Sequence, residues 1–126
     1  MDTSKEYILM CEKAVEIQKS HNQRHGDWQY DKDQKKIFSG AYMSNIAYLE
    51  PCYPMEIWLP RQDQLQDMIV TLGMSSATFL QTMANKVWDS MQSCDYYLQF
   101  KSMEQLWLGF IMFEKYNKKW NGKDWR

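Results

Sequence analysis

The chain has 126 residues, 44% of them hydrophobic and 25% charged, so one domain can bury a core without disulfide or metal staples. Its 15 basic and 16 acidic residues give a formal net charge of −1, which disfavours duplex nucleic acid as a partner. Aromatic residues make up 15% of the chain, and their side chains must either fill the core or face a partner. A single α+β domain over residues 1–126 is predicted.

Cysteine spacing and hydropathy indicate where the chain resides. The chain has three cysteines, Cys11, Cys52 and Cys94. They are far apart in the sequence and form no C-x-x-C pair, which is typical of reduced thiols. The N-terminal residues lack the apolar core of a secretory signal, and no apolar run approaches the ~18 residues of a membrane-spanning helix. We therefore expect a protein of the cytoplasm with no membrane partner.

The first predicted element is an amphipathic helix. Thr3 with Glu6 forms a T-x-x-E capping box at its start, and Gly26 suits the left-handed position beyond its end. Five apolar side chains share one face of a 3.6-residue period and form its predicted buried face: Tyr7, Ile8, Cys11, Ala14 and Val15.

A small antiparallel sheet or meander is predicted next. Trp28 and Tyr30 alternate with polar residues, DKDQ provides turn chemistry, and KKIFSG follows as a second strand, which together indicate a β-hairpin. AYMSNIAYLE, residues 41–50, is the expected third strand. Three prolines in residues 50–60 then exclude a regular central strand or helix.

Three helices are expected to follow and to cover this sheet. Pro60 is predicted in the first turn of the first of them, with Asp63 near the positive end of its dipole, and Gly73 is expected to end it. Ser75 or Ser76 begins the second helix. The predicted buried positions are Leu65, Met68, Ile69 and Leu72 in the first helix and Phe79, Leu80, Met83, Val87 and Met91 in the second.

The last helix has its own start signal. Ser102 with Gln105 makes a capping box, and SCDYYLQFK before it is expected to be a loop or a short extended piece. The predicted buried positions of this helix are Met103, Leu106, Trp107, Phe110 and Phe113.

The candidate chemical sites all have plainer structural interpretations. His21 and His25 stand four residues apart and can share a metal on a helix, but no third ligand is indicated, which favours solvated histidines at a helix end. Asp63 and Asp67 have the same spacing, yet their polar neighbours favour a solvated face over a carboxylate pair. No complete catalytic signature is present, so no catalytic residue, metal ligand or cofactor is predicted.

The last dozen residues are basic and carry interleaved aromatics. Trp120 and Trp125 stand among lysines, a pattern that single-strand binders use to stack bases and contact phosphates. The favoured interpretation is plainer: the lysines complement the dipole of the preceding helix while the tryptophans close the core.

Two blocks of the chain resemble a group of small uncharacterised phage and prophage proteins of Firmicutes. The blocks are IWLPRQDQLQDM and SMEQLWLGFIMFEKYNKKWNGKDW, with CEKAVEIQKSH and GDW upstream in the same order. The resemblance covers most of the chain except about Tyr30 to Tyr53. It implies a phage or integrated element as the source and the cytoplasm of a bacterial host as the location, and it carries over no catalytic residue.

The leading functional hypothesis is a non-enzymatic phage accessory protein that binds and inhibits a host protein or protein complex. Anti-defence inhibitors, including anti-CRISPR proteins, are the expected class. The first alternative is a sponge that sequesters a nucleotide signal, and the second is a metal-dependent nucleotide hydrolase that uses Asp63 or Asp67; a homo-oligomer is compatible with each. The predicted ligand- or partner-contacting residues are Trp58, Arg61, Gln62, Gln64, Trp120 and Trp125.

Overall fold

The described residues fold into helices and one antiparallel sheet. The computed structural model describes residues 1–22, 26–39, 56–70, 73, 75–93 and 95–126. This part of the chain is an α+β fold that begins with a helix, which confirms the predicted class. It forms two compact units, here named the N-terminal unit, Thr3–Arg61, and the C-terminal unit, Met1–Asp2 with Gln62–Arg126. The single domain stays a prediction.

The N-terminal unit starts with two consecutive helices, α1 (Lys5–Lys13) and α2 (Val15–Ser20). The predicted capping box was wrong by one position, because the Oγ of Ser4 accepts the first-turn hydrogen bond from the backbone N–H of Tyr7 at 3.1 Å. Ala14 interrupts the helix with φ −81° and ψ 66°.

That interruption changes which apolar residues are buried. Tyr7, Cys11 and Ala14 lie in the core as expected, but Val15 is 47% exposed. The periodicity predicted Val15 inside because it assumed one continuous helix, whereas the chain changes direction at Ala14 and buries Ile17 instead. Cys11 is buried and forms no disulfide within the described residues, and the other two cysteines lie outside them.

The described sheet is antiparallel and consists of β1 (Trp28–Asp31), β2 (Lys36–Ser39) and β3 (Glu56–Leu59), in the order β2-β1-β3. The predicted hairpin is confirmed, and the carboxylate of Asp31 accepts hydrogen bonds from the backbone N–H groups of Asp33 and Gln34 in its turn. The predicted third strand at residues 41–50 lies outside the described residues.

Strand β3 lies inside the proline-containing stretch that was expected to hold no regular central strand. It is compatible with these prolines because it is only four residues long, is at the edge of the described sheet and ends before Pro60. In register, Trp58 stands opposite Gln29 of β1.

The C-terminal unit contains three α-helices and a short 3₁₀ helix within the described residues. The SCDYYLQFK segment was predicted to be a loop or a short extended piece, but it contains the 3₁₀ helix, which lies between two longer helices. Gly73 has a φ of +81°, as the predicted helix stop requires. The elements are α3 (Gln62–Val70), α4 (Ser76–Ser93), the 3₁₀ helix (Tyr96–Gln99) and α5 (Met103–Tyr116).

Helix α3 begins two residues later than predicted. Pro60 lies just before the helix, not in its first turn, while Asp63 does occupy the first turn. Leu65 and Ile69 are buried as expected. The remaining predicted positions are Met68, which is half-buried, and Leu72, which lies outside the described residues.

Helix α4 has a narrower buried stripe than the sequence predicts. Ser75 caps it by accepting a hydrogen bond from the backbone N–H of Thr78 at 3.2 Å. Phe79 and Met83 are buried, but Leu80 is 59% exposed, so its assignment to the core was wrong. A residue next to Phe79 points about 100° away around a helix, which takes Leu80 out of the stripe. The side chain of Met91 lies outside the described part.

Helix α5 is the central element of its unit. Ser102 caps it by accepting from the backbone N–H of Gln105 at 3.1 Å, which confirms the predicted capping box. Met103 was predicted inside but is 46% exposed in the first turn. Phe79 of α4 packs against the rings of Trp107 and Phe110. The buried apolar side chains surround most of the helix: Trp107, Leu108, Phe110, Ile111 and Met112.

Candidate functional site

Trp58, the first predicted binding residue, is a core residue of the N-terminal unit. It lies in β3 and is only 5% exposed. The imidazole of His21 stacks on its indole with a centroid separation of 3.4 Å and an interplanar angle of 4°. His21 therefore occupies the position that a stacked base would need on that face of the indole.

The backbone of Trp58 is held by a side chain that sequence reasoning missed. The Nε2 of Gln18 donates to the Trp58 carbonyl at 2.9 Å, and the Trp58 N–H donates to the Oε1 of Gln18 at 2.9 Å. The Gln18 amide thus pairs with the outer edge of β3 as a neighbouring peptide group would. No local signal marks this role, because a glutamine near the end of an amphipathic helix is ordinarily a surface residue.

His21 also contacts a buried acid. Its Nε2 lies 2.6 Å from the Oδ2 of Asp27, whose side chain is 1% exposed. His21 ends α2 as predicted, because it is the C-cap residue, but the predicted solvation was wrong: its side chain is only 13% exposed and packs between Asp27 and Trp58. His25, the other half of the proposed metal pair, lies outside the described residues.

Arg61 makes a structural contact within the N-terminal unit. Its Nη1 donates to the carbonyl of Gly26 at 2.7 Å, and Gly26 has a φ of +91°. The neighbouring carbonyl, that of Pro60, accepts from the hydroxyl of Tyr7 at 2.6 Å. The guanidinium thus connects Arg61, two residues after the end of β3, to Gly26, just before Asp27.

The other predicted residues of this block lie in the C-terminal unit. Gln62 and Gln64 are half-buried in the first turn of α3. Asp63 and Asp67 are both exposed, as the solvated-face interpretation predicts.

Trp120 and Trp125 pack against each other inside the C-terminal unit. They form a β-bridge, their ring centroids are 5.0 Å apart, and they are 3% and 8% exposed. The backbone N–H of Trp120 donates to the hydroxyl of Tyr96 at 3.0 Å. Burial raises the pKa of Tyr96 to about 12, and this hydrogen bond opposes the shift. These contacts favour the core-closing interpretation of the two tryptophans over base stacking.

Several basic side chains of the C-terminal segment remain at the surface. The Nζ of Lys119 lies 5.4 Å from the ring centroid of Tyr96 and 5.2 Å from that of Phe113. The Nζ of Lys115 lies 5.6 Å from the Tyr116 ring. The surface here is cationic, while Trp120 and Trp125 face inward.

A further apolar surface lies on α4, where no binding residue was predicted. Leu80 and Trp88 are 59% and 61% exposed, and the exposed Ala84 stands midway between them. Residues at i, i+4 and i+8 share one side of a helix, so these three side chains form one row. We name this row the α4 face: Leu80, Ala84 and Trp88.

The α4 face did have a signal in the sequence. One apolar row of α4, Phe79 with Met83, fills the core, and a second, the α4 face, begins one residue later. Two adjacent apolar rows on one helix indicate a second contact surface. Leu80 was predicted to belong to the buried row, and Trp88 was therefore not predicted as a surface residue of α4.

Other kinds of site find no support in the described part of the chain. No group of three or more His, Cys, Asp or Glu side chains there is placed to hold a metal ion. No helix in the same ranges has both the length and the apolarity needed to cross a membrane. Compared with known proteins, the chain matches no family model, no curated protein and no solved structure.

Proposed function

We propose that this chain is a non-enzymatic binding protein of a phage or integrated element, and that it binds and inhibits a component of its bacterial host. An anti-defence inhibitor of the anti-CRISPR type, acting in the host cytoplasm, is the proposed class. The observation that carries the proposal is the α4 face, whose leucine and tryptophan are both more than half exposed.

The energetics of exposure support a binding role for this face. Leaving a large apolar side chain in water forgoes about 1.5–3 kcal/mol of burial free energy. Trp88 contributes the residue type that most often dominates binding energy at protein interfaces. The α4 face carries no charged residue, and charge depletion is also typical of interface centres.

The two alternative functions have no comparable supporting observation. The aromatic residues proposed for a nucleotide sponge, Trp58, Trp120 and Trp125, are packed inside their units. The carboxylates proposed for a hydrolase, Asp63 and Asp67, are exposed on α3.

Affinity capture tests the proposal. The wild-type protein and a Trp88→Glu variant are immobilised and exposed to lysate of a Firmicutes host, and captured proteins are quantified by mass spectrometry. We expect one host protein or complex to be captured by the wild type and lost with Trp88→Glu, because the new carboxylate would be desolvated in the interface. Lys123→Glu, on an exposed turn, is the matched control and is expected to retain the partner.

Inhibition and ligand binding complete the test. The purified captured protein is expected to lose its activity when the wild type is added, and to keep it with Trp88→Glu. Thermal-shift screening with cyclic dinucleotides, NAD derivatives and divalent metals is expected to give no stabilisation. A large shift with any of these, together with no captured protein, would contradict the proposal.

A further inference from the structure

We propose that the cationic part of the C-terminal unit binds single-stranded nucleic acid through its phosphate backbone. Four exposed basic side chains form this surface, here named the terminal basic surface: Lys115, Lys119, Lys123 and Arg126. It shares no residue with the α4 face. The inference therefore goes beyond the proposed function, and either of the two can fail while the other stands.

Positive charge is concentrated in this segment. Residues 115–126 contain five basic residues and one acidic residue, a net charge of +4. The rest of the chain contains 10 basic and 15 acidic residues, a net charge of −5. The overall balance of −1 thus conceals a local cationic field, which acts on anions within about 10 Å at 0.1 M salt.

The dipole of α5 accounts for only one of these cations. Lys115 lies in the last turn of α5, but the other three follow the helix, and the effect of a dipole falls off within the last turn. Within the described ranges no carboxylate pairs with any of the four, and the neighbouring Glu114 is paired with Lys86. These charges are available to an anion from outside the chain.

The backbone places two of the cations opposite each other. Trp120 and Trp125 form a bridge, and the backbone N–H of Arg126 donates to the carbonyl of Lys119 at 2.9 Å. Side chains alternate between the two faces of paired extended segments, so Lys119 and Arg126 point away from the face of the two buried tryptophans. Like charges at opposed positions repel each other, and a phosphate between them removes this repulsion.

Half-buried aromatic rings lie beside the same cations. The Nζ of Lys115 is 5.6 Å from the ring centroid of Tyr116, and the Nζ of Lys119 is 5.4 Å from that of Tyr96. Single-strand binders combine cations that contact phosphates with aromatic rings that stack bases. A duplex conceals the faces of its bases and an acidic protein segment has none, so this combination favours a single strand.

The number of cations determines the expected salt dependence. For a single strand, the logarithm of the binding constant falls with the logarithm of the salt concentration by about 0.7 per phosphate contact, so four contacts give a slope of about −3. Binding should then weaken about 50-fold between about 50 and about 200 mM NaCl.

Fluorescence anisotropy tests the proposal. Fluorescein-labelled oligo(dT) and oligo(U) of about 20 nucleotides, and a glutamate peptide of about the same length, are titrated with the wild type at low and at high salt. We expect both oligonucleotides to bind with the slope given above, because DNA and RNA present the same phosphates. The peptide should bind at least about tenfold more weakly, since it offers no base to stack.

Variants separate the local surface from net charge. The double variant Lys119→Gln with Arg126→Gln should weaken oligo(dT) binding at least about tenfold and reduce the salt slope to about half. Its matched control is Lys5→Gln with Lys19→Gln, which removes the same charge from exposed positions of the N-terminal unit and should bind like the wild type. Tyr116→Leu should weaken binding about fivefold or more without changing the slope. Circular dichroism verifies that each variant is folded.

Three results would overturn the inference. They are no oligonucleotide binding at low salt, equal weakening by the two double variants, and tighter binding of the glutamate peptide, which would identify an acidic protein as the partner. Trp88→Glu should bind oligo(dT) as the wild type does, and the Lys119 and Arg126 double variant should still capture the host protein. Loss of one binding activity alone then shows which proposal fails.

Discussion

Gln18 shows how much of the N-terminal unit depends on one side chain. Its Nε2 donates to the carbonyls of both Cys11 and Trp58, and its Oε1 accepts from the Trp58 N–H. An edge strand leaves backbone groups that need partners, and here a helix supplies them through one amide. We therefore assign Gln18 to the fold and not to a binding surface.

Replacing Gln18 with alanine should destabilise the protein by about 1–3 kcal/mol, because the backbone groups of Trp58 lose their partners near the core. Urea unfolding followed by circular dichroism measures the change. Lys19→Ala, at the exposed neighbouring position, is the control and should stay within about 0.5 kcal/mol of the wild type. Equal stability of the two variants would contradict the assigned role.

At the scale of elements, the pairing of β1 with β3 contains an unfavourable contact. Asp31 and Glu56 stand directly opposite each other, and like charges at such positions are destabilising. The pKa of Glu56 is raised by burial first and by Asp31 second. Lys36 of β2 stands opposite Asp31 on its other side.

The raised pKa of Glu56 predicts the sign of a pH effect. Its contribution to stability is fully present below its unfolded pKa and is lost as the pH rises through the higher folded pKa. Glu56→Gln should therefore be more stable than the wild type at pH 7, by about 0.2–1 kcal/mol, and the difference should disappear near pH 4. Urea unfolding at both pH values measures it. Gln34→Ala, at an exposed turn position, is the control, because it removes no ionisable group.

Helix α5 depends on a glycine for close packing. A Cβ at Gly109 would lie 2.5 Å from the Cζ and 2.6 Å from the Cε2 of Phe100, inside van der Waals contact. Mid-helix glycine costs roughly 1 kcal/mol relative to alanine, so its presence here is explained by the space that the ring needs.

Gly109→Ala should consequently destabilise the C-terminal unit, because overpacking of about 1–3 kcal/mol outweighs the gain in helix propensity. Thermal unfolding measures the effect. The double variant Phe100→Leu with Gly109→Ala should lose less stability than the sum of the single changes, since the smaller side chain leaves room for the methyl group. A stabilising effect of Gly109→Ala alone would reject the packing argument.

At the scale of the whole molecule, tryptophans divide between interior and surface. Trp107 is 2% exposed and touches Phe79, whereas Trp88 is 61% exposed. The same residue type therefore serves stability at one position and is available for recognition at the other.

This division predicts opposite effects of two equivalent substitutions. Trp107→Ala should cost about 3–5 kcal/mol or prevent folding, while Trp88→Ala should change the free energy of unfolding by less than about 0.5 kcal/mol. Chemical denaturation measures both, at a concentration where the chain is monomeric. A large loss with Trp88→Ala under those conditions would place this side chain in the core and remove the basis of the α4 face.

The sequence by itself determined the elements whose signals are local. The hairpin at Trp28–Ser39 follows from alternation and turn residues, and the start of α5 follows from the Ser102 cap. The fold class follows from the order of these elements. Such features depend on hydrogen bonds between residues a few positions apart, which a sequence displays directly.

Only the tertiary structure decided which apolar and polar residues face inward. His21 and Gln18 contact Trp58, which lies about forty positions later in the chain. No local sequence pattern around either residue predicts this contact. Ala14 interrupts a helix that the hydrophobic periodicity predicts to be continuous. Leu80 was predicted to be buried but is exposed, because it lies one position beyond the buried Phe79 on α4. The burial of a side chain depends on the distant segments that pack against it. Three tryptophans predicted to bind a ligand or partner, Trp58, Trp120 and Trp125, are therefore core residues, whereas Trp88 is exposed.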